Sequence, residues 1–398
     1  MSRDAAGSRD TTARVTPLGA TRDVVPFVLD VPTDQVTDLH ERLRRVRLPE
    51  PEPVDDWSQG IPAAVVAELC RAWLEDHDVH ALSDELNARG QYRTVIDGLG
   101  IHFLYAESPR PDAQPLLVTH GWPGSVVEFL DVLDALTDPA DASDPAFHVV
   151  APSLPGFGFS DKPTTTGWDV DHIADAWVEL MDRLGHPRFL AQGGDWGAMV
   201  TTALGVRHPD RVAMLHTTMP LAERPEGTRT QDLPELEQQW LTQAREFREV
   251  GSGYSAQQRT RPQTLGYALV DSPVGQLAWI AEKFAVWTFG GATLEPSVPR
   301  KRLLDNVAVY WFGASGASSA RLYWESFGLV DRAAPVTVPS AVSVFPAEMA
   351  KMPRSWVEAR YTDLRRWSVL DRGGHFASLE EPELFVAELR ASFAGVSC

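Results

Sequence analysis

The sequence predicts an α/β protein with a mostly parallel central sheet, a helical region ahead of it and a helical insertion within it. Three observations carry this expectation. Up to about residue 220, short apolar runs alternate with loops and helical stretches; residues 221–335 turn helical and aromatic; from 336 the strand-and-loop form returns. Strands that alternate with helices imply parallel pairing with both faces of the sheet covered.

The opening stretch, MSRDAAGSRDTTARVTPLGATRD, lacks the apolar core of a secretory signal and reads as a flexible tail over residues 1–23. A first region follows over 24–90. In DQVTDLHERLRRVRL, Val36, Leu39, Leu43 and Val46 recur at helical intervals and Pro49 stops the run. IPAAVVAELCRAWLEDHDVHALSDELNARG continues as helix. YRTVIDGLGIHFLYAE then reads as two strands about Asp97-Gly98, a favourable turn pair. PLLVTHGWPGS and FHVVAPSLPGFGFSD are buried strands running into Gly/Pro loops. RFLAQGGDWGAMVTTALGVRHP passes from strand through turn to a helix starting near Ala198, and RVAMLHTTM is a further apolar strand. The first part of the core therefore spans 91–220. The insertion, 221–335, holds Trp240, Trp279, Trp287, Tyr310, Trp311, Tyr323 and Trp324. VPSAVSVFPAEM and RRWSVLDRGGHF resume the core over 336–398, and EEPELFVAELRASF closes it as an amphipathic helix.

Composition narrows the function. The 398 residues suggest one main domain with additions. A net charge of −19 argues against nucleic acid or an anionic membrane surface as partner. Two cysteines, Cys70 and Cys398, leave no basis for a disulfide framework or a thiolate metal site, and a cytoplasmic location fits. No apolar run reaches the length of a membrane span. His77 and His80 read as surface residues, so no metal and no cofactor is expected. A homodimer is compatible with the sequence.

The chemistry concentrates in QGGDWGAMV, residues 192–200. A strand, small residues at Gly193 and Gly197, and a helix after them form the pattern of a nucleophile elbow with Asp195 at its tip. His375, in the Gly-rich loop of LDRGGHFASLEEPE, and Glu348, in VFPAEM just past a strand, complete the order nucleophile, acid, histidine. Strand ends in such sheets deliver their loops to one edge, so distant residues can meet there. Asp363 is a weaker rival to Glu348, because it precedes a strand. His120 reads as structural.

Aspartate in place of serine selects the electrophile. Serine attacking an alkyl carbon would leave an ether that the same machinery could not hydrolyse. A carboxylate attacking alkyl carbon makes an ester whose carbonyl lies on the enzyme, and water activated by His375 can cleave it. Epoxides and alkyl halides are therefore the expected substrates. The backbone N–H groups of Trp196 and of Trp122, the latter in HGWPGS, are the candidate oxyanion donors.

HGWPGS, GGDWGA, DSPVGQLAWIAEKFAVW, the Tyr310-Trp311 pair and RGGHFASLEEPEL together resemble the microsomal and juvenile-hormone type of epoxide hydrolases, over about residues 24–394. The resemblance implies an α/β-hydrolase fold with an N-terminal meander wrapping a helical lid. It also implies two lid tyrosines that protonate the opening ring. Tyr323 in SSARLYWESFG matches one; Tyr254 matches the other, with Tyr267 as rival. The polar start, where microsomal relatives carry a membrane helix, resembles soluble bacterial members, some of which act in natural-product assembly, including enediyne pathways. The aromatic insertion points to a bulky or aryl epoxide. Haloalkane dehalogenases, which also use an elbow aspartate followed by tryptophan, and a receptor built on a hydrolase scaffold are the alternatives.

Overall fold

The computed structural model describes residues 23–292, 297–328 and 333–398, so nearly all of the expected tail lies outside the described residues. One sheet runs in the order β1-β2-β3-β5-β4-β6-β7-β8-β9. Its strands are β1 (Val25–Pro26), β2 (Gln91–Ile96), β3 (Leu99–Ala106), β4 (Gln114–Thr119), β5 (Phe147–Pro152), β6 (Phe189–Gly193), β7 (Val212–Thr217), β8 (Ser340–Val344) and β9 (Leu364–Val369). The β1–β2, β2–β3 and β3–β5 pairs are antiparallel, and all pairs from β5 through β4 to β9 are parallel. The tight β2–β3 connection has Asp97 and Gly98 at φ 49° and 80°, the doubly left-handed geometry of a two-residue hairpin turn. Leu116, Leu117 and Val118 of β4 and Leu190 and Ala191 of β6 have no exposed surface, which explains apolar runs without alternation.

Strand β4 lies between β5 and β6, so the strand order reverses at its end. In open α/β sheets such a reversal leaves a crevice beyond the strand C-termini. The HGWPGS loop leaves β4 there, and the elbow leaves β6 beside it.

Between β1 and β2, the helices Thr33–Arg44, Ala63–Glu75 and Val79–Asn87 replace the longer helical runs expected from the sequence. Asp78 makes the break, because its side chain accepts from the N–H groups of His80 and Ala81 and so starts a new helix. His77 corrects a second expectation. Its imidazole is buried, 3.0 Å from the Asp305 carboxylate, and is not a surface group.

Between β7 and β8 the chain forms a set of helices, among them Gly253–Thr260, Pro262–Asp271, Pro273–Val286, Arg300–Phe312 and Gly316–Ser326. Pro262 and Pro273 each open a helix, where a missing N–H costs nothing. An ionic cluster ties the helix Arg300–Phe312 to the rest. Arg302 donates to Glu85 at 2.6 Å, to Asp131 at 2.5 Å and to Asp305 at 3.1 Å. Its guanidinium, with Lys301, pulls the Glu85 carboxyl down to about 2 against the effect of burial. No helix among the described residues is long and apolar enough to cross a membrane.

Candidate active site

Strand β6 ends at Gly193, and Asp195 opens the helix Asp195–Arg207 in a left-handed conformation, φ 48°. A non-glycine residue in that region is held at a cost of about 1–3 kcal/mol and persists only where its surroundings enforce it. Those surroundings are crowded. A Cβ on Gly193 would lie 2.1 Å from the Gly197 carbonyl oxygen, and one on Gly197 would lie 1.8 Å from that of Thr119. The small residues flanking Asp195 are thus a steric requirement of the turn. The helix begins at Asp195, ahead of the expected Ala198, because the left-handed residue turns the chain directly into it.

The Asp195 carboxylate faces the loop after β4. The Trp122 N–H donates to its Oδ1 at 2.7 Å, and the Trp196 N–H also favours the charged carboxylate. Both expected oxyanion donors therefore meet at one carboxylate. Gly121 makes the approach possible, since a Cβ there would fall 2.3 Å from Oδ1. The loop itself hangs on the helix Arg300–Phe312. Asn306 donates to the Pro123 carbonyl at 2.8 Å and accepts from Ser125 at 2.7 Å, and the Tyr310 hydroxyl donates to the Gly124 carbonyl at 3.0 Å. The Trp122-Pro123 bond is cis.

Opposite the loop, His375 Nε2 lies 3.6 Å from Asp195 Oδ2, and its Nδ1–H donates to Glu348 Oε2 at 2.9 Å. The other Glu348 oxygen accepts the Ala350 N–H at 3.1 Å. The His375 backbone N–H is held by the Trp287 carbonyl at 3.0 Å. Asp363 does not reach His375; its carboxylate pairs with Arg365 at the surface. His120 is locked by the Gly121 carbonyl and the Leu154 N–H.

Electrostatics follow from this burial. Desolvation opposes a charge on His375, but Glu348 and then Asp195 outweigh it and raise its pKa to about 9. Burial opposes the charge on Glu348 as well, yet His375 and the Ala350 N–H hold its pKa below the usual value. Burial raises the pKa of Asp195 against the opposing pull of His375 and the two N–H donors.

On the insertion side, Tyr254 and Tyr323 are both buried. The Tyr254 ring stacks on Trp122 with centroids 5.1 Å apart, and Tyr323 meets Trp196 edge-on at 4.8 Å. Their hydroxyls influence each other, and the Trp196 indole acts on that of Tyr323. Burial raises both phenol pKa values, which keeps them protonated. Tyr267 is 70% exposed and does not join them; its helix buries Gly266 and Leu269 instead. Sequence reasoning gave no role to Gly121, Trp287 or Asn306. The glycine after His120 in HGWPGS could have signalled the first, whereas the partners of the other two lie far away in sequence. Among the described residues, no group of three or more His, Cys, Asp or Glu is placed to hold a metal ion.

The arrangement therefore joins a carboxylate held by N–H donors, an imidazole backed by a buried carboxylate, and two protonated phenols. Comparison with known proteins gives the family. Residues 24–129 match the family profile "Epoxide hydrolase N terminus", and residues 114–265 match "alpha/beta hydrolase fold". A Stigmatella aurantiaca protein named for the same activity is 50% identical over 93% of this chain and 84% of its own. Epoxide hydrolase 1 of Oryctolagus cuniculus is 35% identical over 93% of this chain and 88% of its own. Among solved structures, juvenile hormone epoxide hydrolase of Bombyx mori superposes with a TM-score of 0.88 at 29% identity, covering 94% of this chain and 95% of the other. The Aspergillus niger epoxide hydrolase gives 0.86 at 30% identity, covering 97% and 98%. With relatives this similar along nearly its whole length, the chain belongs to the epoxide hydrolases of the α/β-hydrolase fold.

Proposed function

We propose that the protein converts an epoxide to a vicinal diol in two covalent steps centred on Asp195. Asp195 Oδ1 is engaged by the Trp122 N–H, which leaves Oδ2 as the attacking oxygen. Oδ2 bonds to an epoxide carbon as the ring C–O bond breaks, and the leaving oxygen takes a proton from the Tyr254–Tyr323 pair. Oδ1 then becomes the ester carbonyl oxygen, already held by the Trp122 N–H. His375, held by Glu348, removes a proton from water, and the hydroxyl adds to that carbonyl. Collapse releases the diol and restores the carboxylate. In this reading the region 221–335 acts as a lid over the reacting carbon, and residues 24–90 brace it.

The observation that carries the reading is the division of labour at one carboxylate, with the Trp122 N–H on Oδ1 and His375 Nε2 3.6 Å from Oδ2. The paired phenols support an epoxide over a halide, because a leaving halide needs N–H donors but no acid. The rings of Trp122, Trp196, Trp287, Tyr254 and Tyr323 gathered at the site support a bulky or aryl epoxide. Single turnover of styrene oxide in ¹⁸O-labelled water tests the mechanism. The label should enter Asp195 and be absent from the first equivalent of diol, whose new oxygen comes from the carboxylate. Label in that first diol would mean direct attack by water and would overturn the covalent route.

A further inference from the structure

Below the elbow lies a cavity of about 20 Å³, lined among others by Gly121, Gly124, Glu128, Asp195 and His375. A space of this size accommodates one water, provided that two or more polar groups face it. Several polar groups around it are unspent. Thr119 Oγ1 and Gln192 Oε1, which also line the cavity, have no hydrogen-bond partner among the described residues. His120 is not available, because both of its ring nitrogens are already engaged.

Glu128 is the chemically distinct member of this lining. It belongs to the short turn Val126–Phe129, which Ser125 caps by accepting the Val127 N–H. The turn sends the side chain back towards the loop, so that a Cβ on Gly124 would fall 1.4 Å from Glu128 Oε1. The glycine thus clears the space that the carboxyl occupies. No hydrogen bond from another described side chain or backbone group satisfies that carboxyl. A polar group left so is costly unless water completes it.

We propose that this cavity holds the water that cleaves the Asp195 ester, and that Glu128 is its second protein contact beside His375. The inference rests on the two-step reading above. One water hydrogen points at His375 Nε2 and passes to it as the new C–O bond forms at the Asp195 carbonyl carbon. The other remains on oxygen and is accepted by Glu128, which neither gains nor loses a proton. Held at both hydrogens, the water presents a lone pair to the ester. Burial pushes the Glu128 carboxyl up to about 8, and Asp195 adds to the rise while His375 opposes it, so the group is mainly neutral at pH 7. A neutral carboxyl suits this role, because it orients water without competing with His375 for the proton.

Rapid-quench mass spectrometry with styrene oxide separates ester formation from ester breakdown. Glu128→Ala should slow breakdown by about tenfold or more while formation stays within about threefold, so that the ester accumulates. Glu128→Gln, which can still accept from water, should fall between this and the wild type. Gly124→Ala provides an independent arm, since its methyl group displaces the carboxyl without removing it; it should reproduce the Glu128→Ala pattern. Wild-type breakdown in both alanine variants, or equal slowing of both steps, would overturn the assignment. His375→Gln separates the two levels of the argument. If it yields no ester where the wild type turns over, the covalent reading fails and this inference fails with it; if it traps ester, the Glu128 and Gly124 results decide alone.

Discussion

The two sides of the site are built by different means. On the sheet side, Asp195 projects from a turn in which Gly193 and Gly197 leave no room for a side chain, and its position follows from the backbone. On the insertion side, Tyr254 and Tyr323 sit on the helices Gly253–Thr260 and Gly316–Ser326, and their positions follow from ring packing against Trp122 and Trp196. A turn of one residue along either helix would carry the phenol out of reach. Backbone-built sites are rigid and tolerate few neighbours; packing-built sites can be altered by substitutions that leave the fold intact.

The contrast breaks most sharply at Asp195 and His375. Asp195→Ala should reduce turnover by a factor on the order of 10⁴ or more with the fold retained by circular dichroism. His375→Gln should instead let the ester form and persist, visible as an adduct on Asp195 in the intact mass. Next in size is the buried partner of the histidine. Glu348→Gln should slow ester breakdown by up to about 10⁴ and formation far less, whereas Asp363→Asn should change neither. If the aspartate variant shows that pattern, the relay acid has been misassigned.

The insertion side should respond with smaller effects and in the opposite step. Tyr323→Phe and Tyr254→Phe should each slow ester formation by about 10²–10⁴ and leave breakdown nearly unchanged. Their losses should be non-additive, because both hydroxyls serve one oxygen, and single-turnover rates of the double variant test this. If ester forms at the wild-type rate in both, the phenols are packing groups. Tyr267→Phe, at a residue 70% exposed, should remain within about twofold of the wild type.

The pH dependence sharpens the same comparison. His375 has a pKa raised to about 9, in part by the negative charge of Asp195. Ester formation removes that charge, so the histidine pKa must fall in the intermediate. The base is the deprotonated form. Ester breakdown should therefore rise with pH, by up to about tenfold per unit, and level off at a midpoint below 9. Stopped-flow rates across pH 6 to 10 would measure it; a breakdown rate that falls with pH over this range would exclude His375 as the base.

This division also decides what the amino-acid sequence revealed. The strands from β4 to β9, the elbow and the order Asp195, Glu348, His375 were legible because short apolar runs, glycine crowding and loops at strand ends are local signals. Glu348 could be preferred to Asp363 because one follows a strand and the other precedes one, and only Glu348 meets His375. Tyr254 could not be separated from Tyr267, since the choice depends on which face of a helix turns inward. The helical stretch read over residues 61–90 is two helices, because a run of helix-forming residues conceals a cap at Asp78. Asn306 and Glu128 were silent, because their partners lie far away in sequence or belong to a cavity that exists only after folding.

The anchoring of the HGWPGS loop to the helix Arg300–Phe312 has a practical meaning for recombination between related enzymes. That helix lies within the inserted stretch, yet Asn306 and Tyr310 hold the backbone of the loop that carries the Trp122 N–H, and Arg302 pins it to Asp131. A chimera that exchanges the whole stretch between β7 and β8 would replace the scaffold of the HGWPGS loop along with the helices that carry Tyr254 and Tyr323. The better crossover points bracket the helices from Gly253 to Val286, taking Tyr254 with the donor and leaving Arg300–Phe312 with the recipient. Boundaries of inheritance in this molecule follow hydrogen bonds, not the order of elements along the chain.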